Sequence, residues 1–533
     1  MKLLKKLLNR GAKPMPGTVA GNMNPASTAK PLIKASLDEN LDYVRKSIGH
    51  STDIIIRETR IGQNGVLRMG IIFTEGLADK SVINDFIMET LMLEVKTAEL
   101  DAELSRSAYA LQVIKSKALT IGDILEVTDY DTMLHSILSG DTIILLDGNS
   151  VAINAGTKGW KDRGVTETSK ESVVRGPRES FSETLRTNTA LIRRKIKDPN
   201  LWLETQQIGR LTKTDVAIMY INGIANDKIV EEVRTRLARI DIDSILESGY
   251  IEELIQDKTY TPFPTIYNTE RPDVVAAELV EGKVVILVDG TPVVLVVPAL
   301  FVSFLHSAED YYHRFDISSL VRILRYVGVF IALLGPSLYV AITTFHQEML
   351  PTELLIGLAA QREGVPFPAF IEAIMMEVAF EILREAGLRM PRTIGPAVSV
   401  VGTLVIGQAA VEAGIVSAAM VIVVSTTAIA SFVFPSYSLA SSFRMLRFPL
   451  MGLAASFGLV GIIVGLIGIV LHLTSLRTFG VPYMSPFAPL IIDDQKDAIF
   501  RFPQWFMLSR PRLINQKNVI RQNMSKTDPK GRE

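Results

Sequence analysis

Four uncharged apolar stretches, 326–342, 393–411, 415–434 and 448–471, crowd the second part of this chain. A helix needs roughly 17–25 such residues to cross bilayer hydrocarbon, so all four are expected to span a membrane. Residues 1–290 instead mix charges with short apolar runs, the pattern of an aqueous α/β domain. The expected fold class is an α/β soluble N-terminal domain followed by an α-helical polytopic membrane domain. A mean hydropathy of +0.26 and 48% hydrophobic residues agree with a chain lying partly in lipid.

The chain has no cysteine, which excludes disulfides, thiolate metal sites, iron–sulfur clusters and a cysteine nucleophile. With 56 Lys and Arg against 57 Asp and Glu, the balance gives no sign of a nucleic-acid binder. The six histidines are scattered, and neither a His-Glu-x-x-His pair nor a glycine-rich phosphate cradle occurs. No catalytic residue, metal or cofactor is expected, and the chain reads as non-enzymatic. His306 and His313 flank Glu309, Asp310, Tyr311 and Tyr312, read as an interfacial polar turn because aromatic residues collect at membrane boundaries.

The basic, leucine-rich opening has no uncharged core before a cleavage site, so it is no secretory signal and the soluble part stays cytoplasmic. A membrane-touching turn is one reading of this opening. The composition, with Pro14, Pro16, Pro25 and Pro31, favours a disordered segment over residues 1–50.

The soluble region carries an internal echo. Gly140, an apolar run and Asp147-Gly148 match Gly282, an apolar run and Asp289-Gly290, while the strand and turn ending at Gly76 match those ending at Gly223. Helical patterns follow at 82–93 and 229–237. Two copies of one α/β subdomain are expected, over 51–158 and 199–298, each with an Asp-Gly hairpin turn. Residues 159–198 read as a connecting segment broken by Gly176-Pro177. Its basic strip (Arg193, Arg194, Lys195, Lys197) suits either anionic head groups or the solvated face of a helix. Pro262, Pro264 and Pro272 place a loop after residue 260.

The membrane domain, 299–492, precedes a basic tail, 493–533. Between 369 and 386 an apolar helix pattern carries Glu377, Glu381 and Glu385 four residues apart, on one face. Those carboxylates are candidates for a cation path if the helix enters the bilayer; a helix lying on the membrane is the alternative. Gly335-Pro336 is a candidate hinge, and Gly458, Gly461, Gly465 and Gly468 form a candidate packing seam, within the chain or between copies. Arg322, Arg325, Arg384, Arg389, Arg444 and Arg447 lie beside the spans and prefer the cytoplasm. They agree with six crossings, two of them unusual: the glutamate helix and a proline-broken return at 479–492.

Several segments carry a family resemblance. They are Arg175-Gly176-Pro177-Arg178-Glu179, Glu270-Arg271-Pro272-Asp273, Asp310-Tyr311-Tyr312, and above all Arg389-Met390-Pro391-Arg392 followed by Gly395-Pro396. These resemble the A subunit of GerA-type spore germinant receptors, over about residues 50–490. The resemblance implies a nutrient-receptor subunit in the spore inner membrane, with its N-terminal domain on the core side. It also implies a transporter-like B-type subunit, to which nutrient binding is ascribed, a C-type lipoprotein subunit, and release of ions as germination begins. An A-subunit homo-oligomer forming an ion channel is part of that expectation. A related sporulation accessory protein of the dipicolinate-channel system is the alternative, with Ser51-Thr52-Asp53 through Glu58 leaning toward the receptor. A stand-alone secondary transporter would require an inverted repeat in the membrane half, and the repeat lies in the soluble half.

Overall fold

The computed structural model describes residues 31–61, 67–84, 124–159, 171, 173–390, 407–514 and 518–522 of the 533. The first sheet contains β1 (Ile54–Ile61), β2 (Leu67–Thr74), β3 (Ile124–Val127), β4 (Thr142–Leu146) and β5 (Ala152–Ala155) in the order β1-β2-β4-β5-β3. The second contains β6 (Leu201–Ile208), β7 (Thr214–Ile221), β8 (Tyr267–Thr269), β9 (Val284–Val288) and β10 (Val294–Val297) in the order β6-β7-β9-β10-β8. Both are antiparallel throughout and share one topology, so the duplication is visible in the strand order. The paired turns correspond as well: Gly148 and Gly290 sit at φ 82° and 91°, conformations that glycine adopts without a Cβ penalty.

The repeat begins one helix earlier than the sequence reading placed it. Helix α1 (Leu37–Ser47) precedes the first sheet, and α2 (Tyr130–Leu138) leads into β4; α3 (Leu185–Lys195) precedes the second. In the first copy Asp147 accepts from the amide of Leu37 at 3.1 Å; in the second Asp289 accepts from Leu185 at 2.8 Å. Asn40 and Asn188 each bridge both backbone groups of a residue six positions earlier. Residues 37–47 are therefore structured, because Leu37, Leu41 and Val44 bury one helical face against the sheet. The segment read as a connector supplies the second copy's first helix. Its Arg193 is fully buried and forks onto Asp53 at 2.6 and 2.9 Å, while Arg194 and Lys195 pair with Glu179. Neither role anticipated for the strip applies to Arg193.

The second sheet is covered on both faces. Helices α3 and α6 (Pro272–Val280) pack one side; α4 (Asp227–Ala238) and α5 (Ser248–Ile255) pack the other. The helical pattern expected at 229–237 is α4; its counterpart at 82–93 lies outside the described residues beyond Asn84.

Among the described residues, two helices are long and apolar enough to cross a membrane, α7 (Phe315–Phe345) and α11 (Tyr437–Ser475). Between them lie α8 (Thr352–Arg362), α9 (Ala369–Arg389) and the shorter apolar α10 (Ala418–Ser431). Helix α11 reverses at Gly458, whose φ of 62° and ψ of −140° interrupt the helical run. Its arms, 437–457 and 459–475, pack side by side: Gly465 faces Leu450 and Leu453, and Gly461 abuts the Leu453 backbone. Ser442 and His472, one from each arm, both reach the loop at 261–263. At 1.5 Å per residue each arm is about 25–30 Å long, near the thickness of bilayer hydrocarbon. Exposed Phe457, Val460, Ile463, Ile467 and Val470 give the hairpin an apolar outer surface.

Helix α7 starts beside the sheet domain, and its far end, Phe345 and His346, meets Gly458. Helix α10 runs the opposite way, since Ser417 meets Tyr339 while Ala430 meets Gly328. The stretch read as one crossing at 448–471 is thus folded into a helical hairpin about Gly458 rather than a single straight helix. The return expected at 479–492 forms no helix: β11 (Arg477–Thr478) and β12 (Val481–Pro482) make a short ribbon, and Phe479 and Val481 bury against the second sheet's α4–α5 side. Pro482, Pro486 and Pro489 deny this segment a helical ladder. The sheet domain and residues 476–514 therefore share one end of the bundle. The apolar stretch 393–411 lies mostly outside the described residues.

Candidate functional site

Three segments far apart in sequence meet where the sheet domain joins the bundle. Pro272 opens α6 as its first helical residue, where a missing N–H is tolerated, and Arg271 before it is 2% exposed. The Arg271 guanidinium donates to Asp273 at 3.1 and 2.7 Å and to the carbonyl of Pro177 at 3.0 Å. Tyr312 donates its hydroxyl to the same Asp273 at 2.5 Å. Gly176 lies against the Tyr312 ring; at its φ of 139° a Cβ would stand 2.6 Å from that ring. Glu309 accepts from the amides of Val174 and Arg175, and the Glu270 carbonyl accepts from Phe181 at 2.9 Å. Arg175 and Arg178 are exposed on the same loop. Burial pushes the neighbouring Glu171 carboxyl up to about 7, against a hydrogen bond from Thr269.

One residue further along, the chain enters the bundle through a second buried cluster. Asp310, 2% exposed, accepts from Arg325 at 2.6 Å and from Arg322 at 3.0 Å, both on the first turns of α7. Burial acts to raise the Asp310 carboxyl, but the two guanidinium groups outweigh it and hold the group below the usual carboxylate range. Arg322 also reaches Asp497 at 2.7 Å, which accepts the Tyr311 hydroxyl at 2.7 Å. His306 lies 3.0 Å from the Ala498 carbonyl; burial, then Arg322, pushes its imidazole down to about 4. The turn expected to be interfacial is thus a buried joint that ties the sheet domain, α7 and the C-terminal segment together.

Within the bundle each candidate ion-path carboxylate has an arginine partner. Glu377 pairs with Arg447, both out of contact with solvent, and Arg447 also donates to the Ala332 carbonyl at 2.7 Å. Glu381 meets Arg384 at 3.0 Å and Arg444 at 3.7 Å; Glu385 meets Arg389 at 2.7 Å. Glu372, fully buried, accepts from the amide and hydroxyl of Ser417 at the start of α10. Arg322, Arg325, Arg444 and Arg447, read as loop charges beside the spans, are all buried. Gly335 admits Thr427 of α10, whose Oγ1 would lie 2.6 Å from an added Cβ, and Pro336 sits inside α7, which runs on to Phe345. Gly458, Gly461 and Gly465 form the hairpin, whereas nothing lies near Gly468. Pro391, Arg392, Gly395 and Pro396 lie outside the described residues. No signal in the sequence joined Arg447 to Glu377; the four-residue spacing did place Arg389 on the face of Glu385.

Residues 42–513 match the family model for the Bacillus/Clostridium GerA spore germination protein. Spore germination protein KA of Bacillus subtilis is 50% identical over 92% of this chain and 89% of its own. The uncharacterized membrane protein YfkQ of the same organism is 44% identical over 94% and 95%. A crystal structure of the N-terminal domain of the A subunit of the Bacillus megaterium spore germinant receptor GerK3 is 43% identical, covering 51% of this chain and 99% of that one, at a TM-score of 0.42. Matched over most of its length by both the family model and its relatives, the chain belongs to the Bacillus/Clostridium GerA spore germination protein family.

Proposed function

We propose that this chain is the A-type subunit of a spore germinant receptor and that its junction relays nutrient binding to the membrane bundle. The observation that carries the relay is the convergence of Gly176-Pro177, Arg271-Asp273 and Glu309–Tyr312 on the root of α7. A rearrangement of the sheet domain that moves Asp273 shifts Tyr312, two residues from Asp310, and Asp310 acts directly on α7 because it is the shared acidic partner of Arg322 and Arg325. Germination names among the relatives favour the receptor over a sporulation accessory protein or a lone transporter.

In this reading the protein is non-enzymatic and resides in the spore inner membrane with its sheet domain on the core side. A B-type and a C-type subunit accompany it, and copies of the chain assemble around an ion path. With Glu377, Glu381 and Glu385 each held by an arginine, a path lined by them requires those pairs to exchange partners on activation. The test is removal and restoration of the gene in a strain lacking other A-type subunits, with spores challenged by amino acids, sugars and nucleosides. Cation release that returns only with this chain supports the reading; release unchanged by its loss contradicts it.

A further inference from the structure

A cavity of about 300 Å³ lies beside the junction, between α6, the segment after β10 and the C-terminal segment. That volume is at the lower end of small-molecule sites. Val274, Ala277, Leu300 and Met507 supply apolar wall. Three polar groups on this wall lack the partners their neighbours have. Ser485 is 3% exposed, and among the described residues its hydroxyl makes no hydrogen bond; the hydroxyl of Tyr267, a half-buried residue, makes none either. Asp494 accepts only the backbone amide of Arg512 at 3.1 Å, whereas Glu278, Asp497 and Asp273 on the same wall are paired with Lys283, Arg322 and Arg271. Ser485 is buried, and buried polar groups are normally satisfied; with the half-buried Tyr267 hydroxyl and Asp494 carboxylate it leaves this wall able to take donors from a bound molecule.

The wall carries six carboxylates against Lys283, Lys496 and Arg521, and Lys496 is turned onto the Phe506 ring, 5.5 Å from its centre. An anion is disfavoured there. A primary ammonium has three N–H donors, the complement of one carboxylate and two hydroxyls, and an apolar body suits the remaining wall. We propose that this cavity is a binding site for a small organic cation with an apolar body, closed on one side by residues 485–514. The proposal stands apart from the receptor reading and is tested by binding alone.

The experiment is calorimetric titration of the full chain in detergent with phenethylammonium, its neutral isostere phenethyl alcohol, and 3-phenylpropionate. Saturable binding of the ammonium is expected, at least tenfold tighter than either control. Asp494→Asn should weaken it about tenfold and Tyr267→Phe about fivefold, while Ala277→Leu fills the wall and abolishes it. Absence of saturable binding, equal affinity for the alcohol, or undiminished binding in Ala277→Leu would overturn the proposal. Should Asp494→Asn fail to fold, the Tyr267 and Ala277 variants decide.

Discussion

Asp310 receives Arg325 at 2.6 Å with both side chains withdrawn from solvent, so the entry to α7 depends on a charge pair with no water to replace either partner. Removing one member of such a pair leaves the other buried and unpaired, at a cost of about 3–5 kcal/mol. Asp310→Asn should lower stability by that amount, since Arg322 and Arg325 both lose their shared carboxylate. Thermal unfolding in detergent, monitored by circular dichroism, checks this.

His306 makes the same joint sensitive to acid. Its folded value of about 4 lies below the ordinary 6.5, so the unfolded chain binds a proton across that window while the folded chain does not. Stability from this group is fully present above pH 6.5 and falls as pH drops toward 4, by about 3 kcal/mol in total. His306→Asn should flatten the stability profile between pH 6.5 and 4; an unchanged slope would contradict the assignment.

The doubled sheet was legible because Asp147-Gly148 and Asp289-Gly290 close the same turn, and a turn of that kind prescribes its residues. The repeat's first helix was written there too: Leu37, Asn40, Val44 and Arg45 match Leu185, Asn188, Ile192 and Arg193, but proline-rich sequence before the first masked the likeness. The hairpin in α11 escaped because two uncharged arms and one long span have the same composition, and a glycine in mid-span is tolerated either way. Pairs such as Glu377 with Arg447 join helices 70 residues apart, and only tertiary packing chooses the partner.

Gly458 is the point on which the hairpin turns. Its backbone angles belong to a region that is essentially glycine-only, and a Cβ there would come within 2.7 Å of His346. Gly458→Ala should cost more than about 1–3 kcal/mol, strain and collision together, and reduce folded protein. Gly468→Ala, facing open space, should be silent. Limited proteolysis of membranes carrying each variant separates the two outcomes.

Glu377→Gln should destabilise by about 3–5 kcal/mol because Arg447 is left buried without its counter-charge. Replacing both, Glu377→Gln with Arg447→Met, should recover a large part of that loss. A double-mutant cycle measured by thermal unfolding reports the coupling; additive effects would mean that the pair does not hold α9 to the hairpin.

The relay through the junction is tested most directly by nutrient-triggered cation release from spores carrying Asp310→Asn, with the rate expressed per copy of receptor in the inner membrane. The expected rate is at least tenfold below that of the unaltered chain, because the junction no longer holds Arg322 and Arg325 on a shared carboxylate. An unaltered rate per copy would show that the signal reaches the bundle by another route.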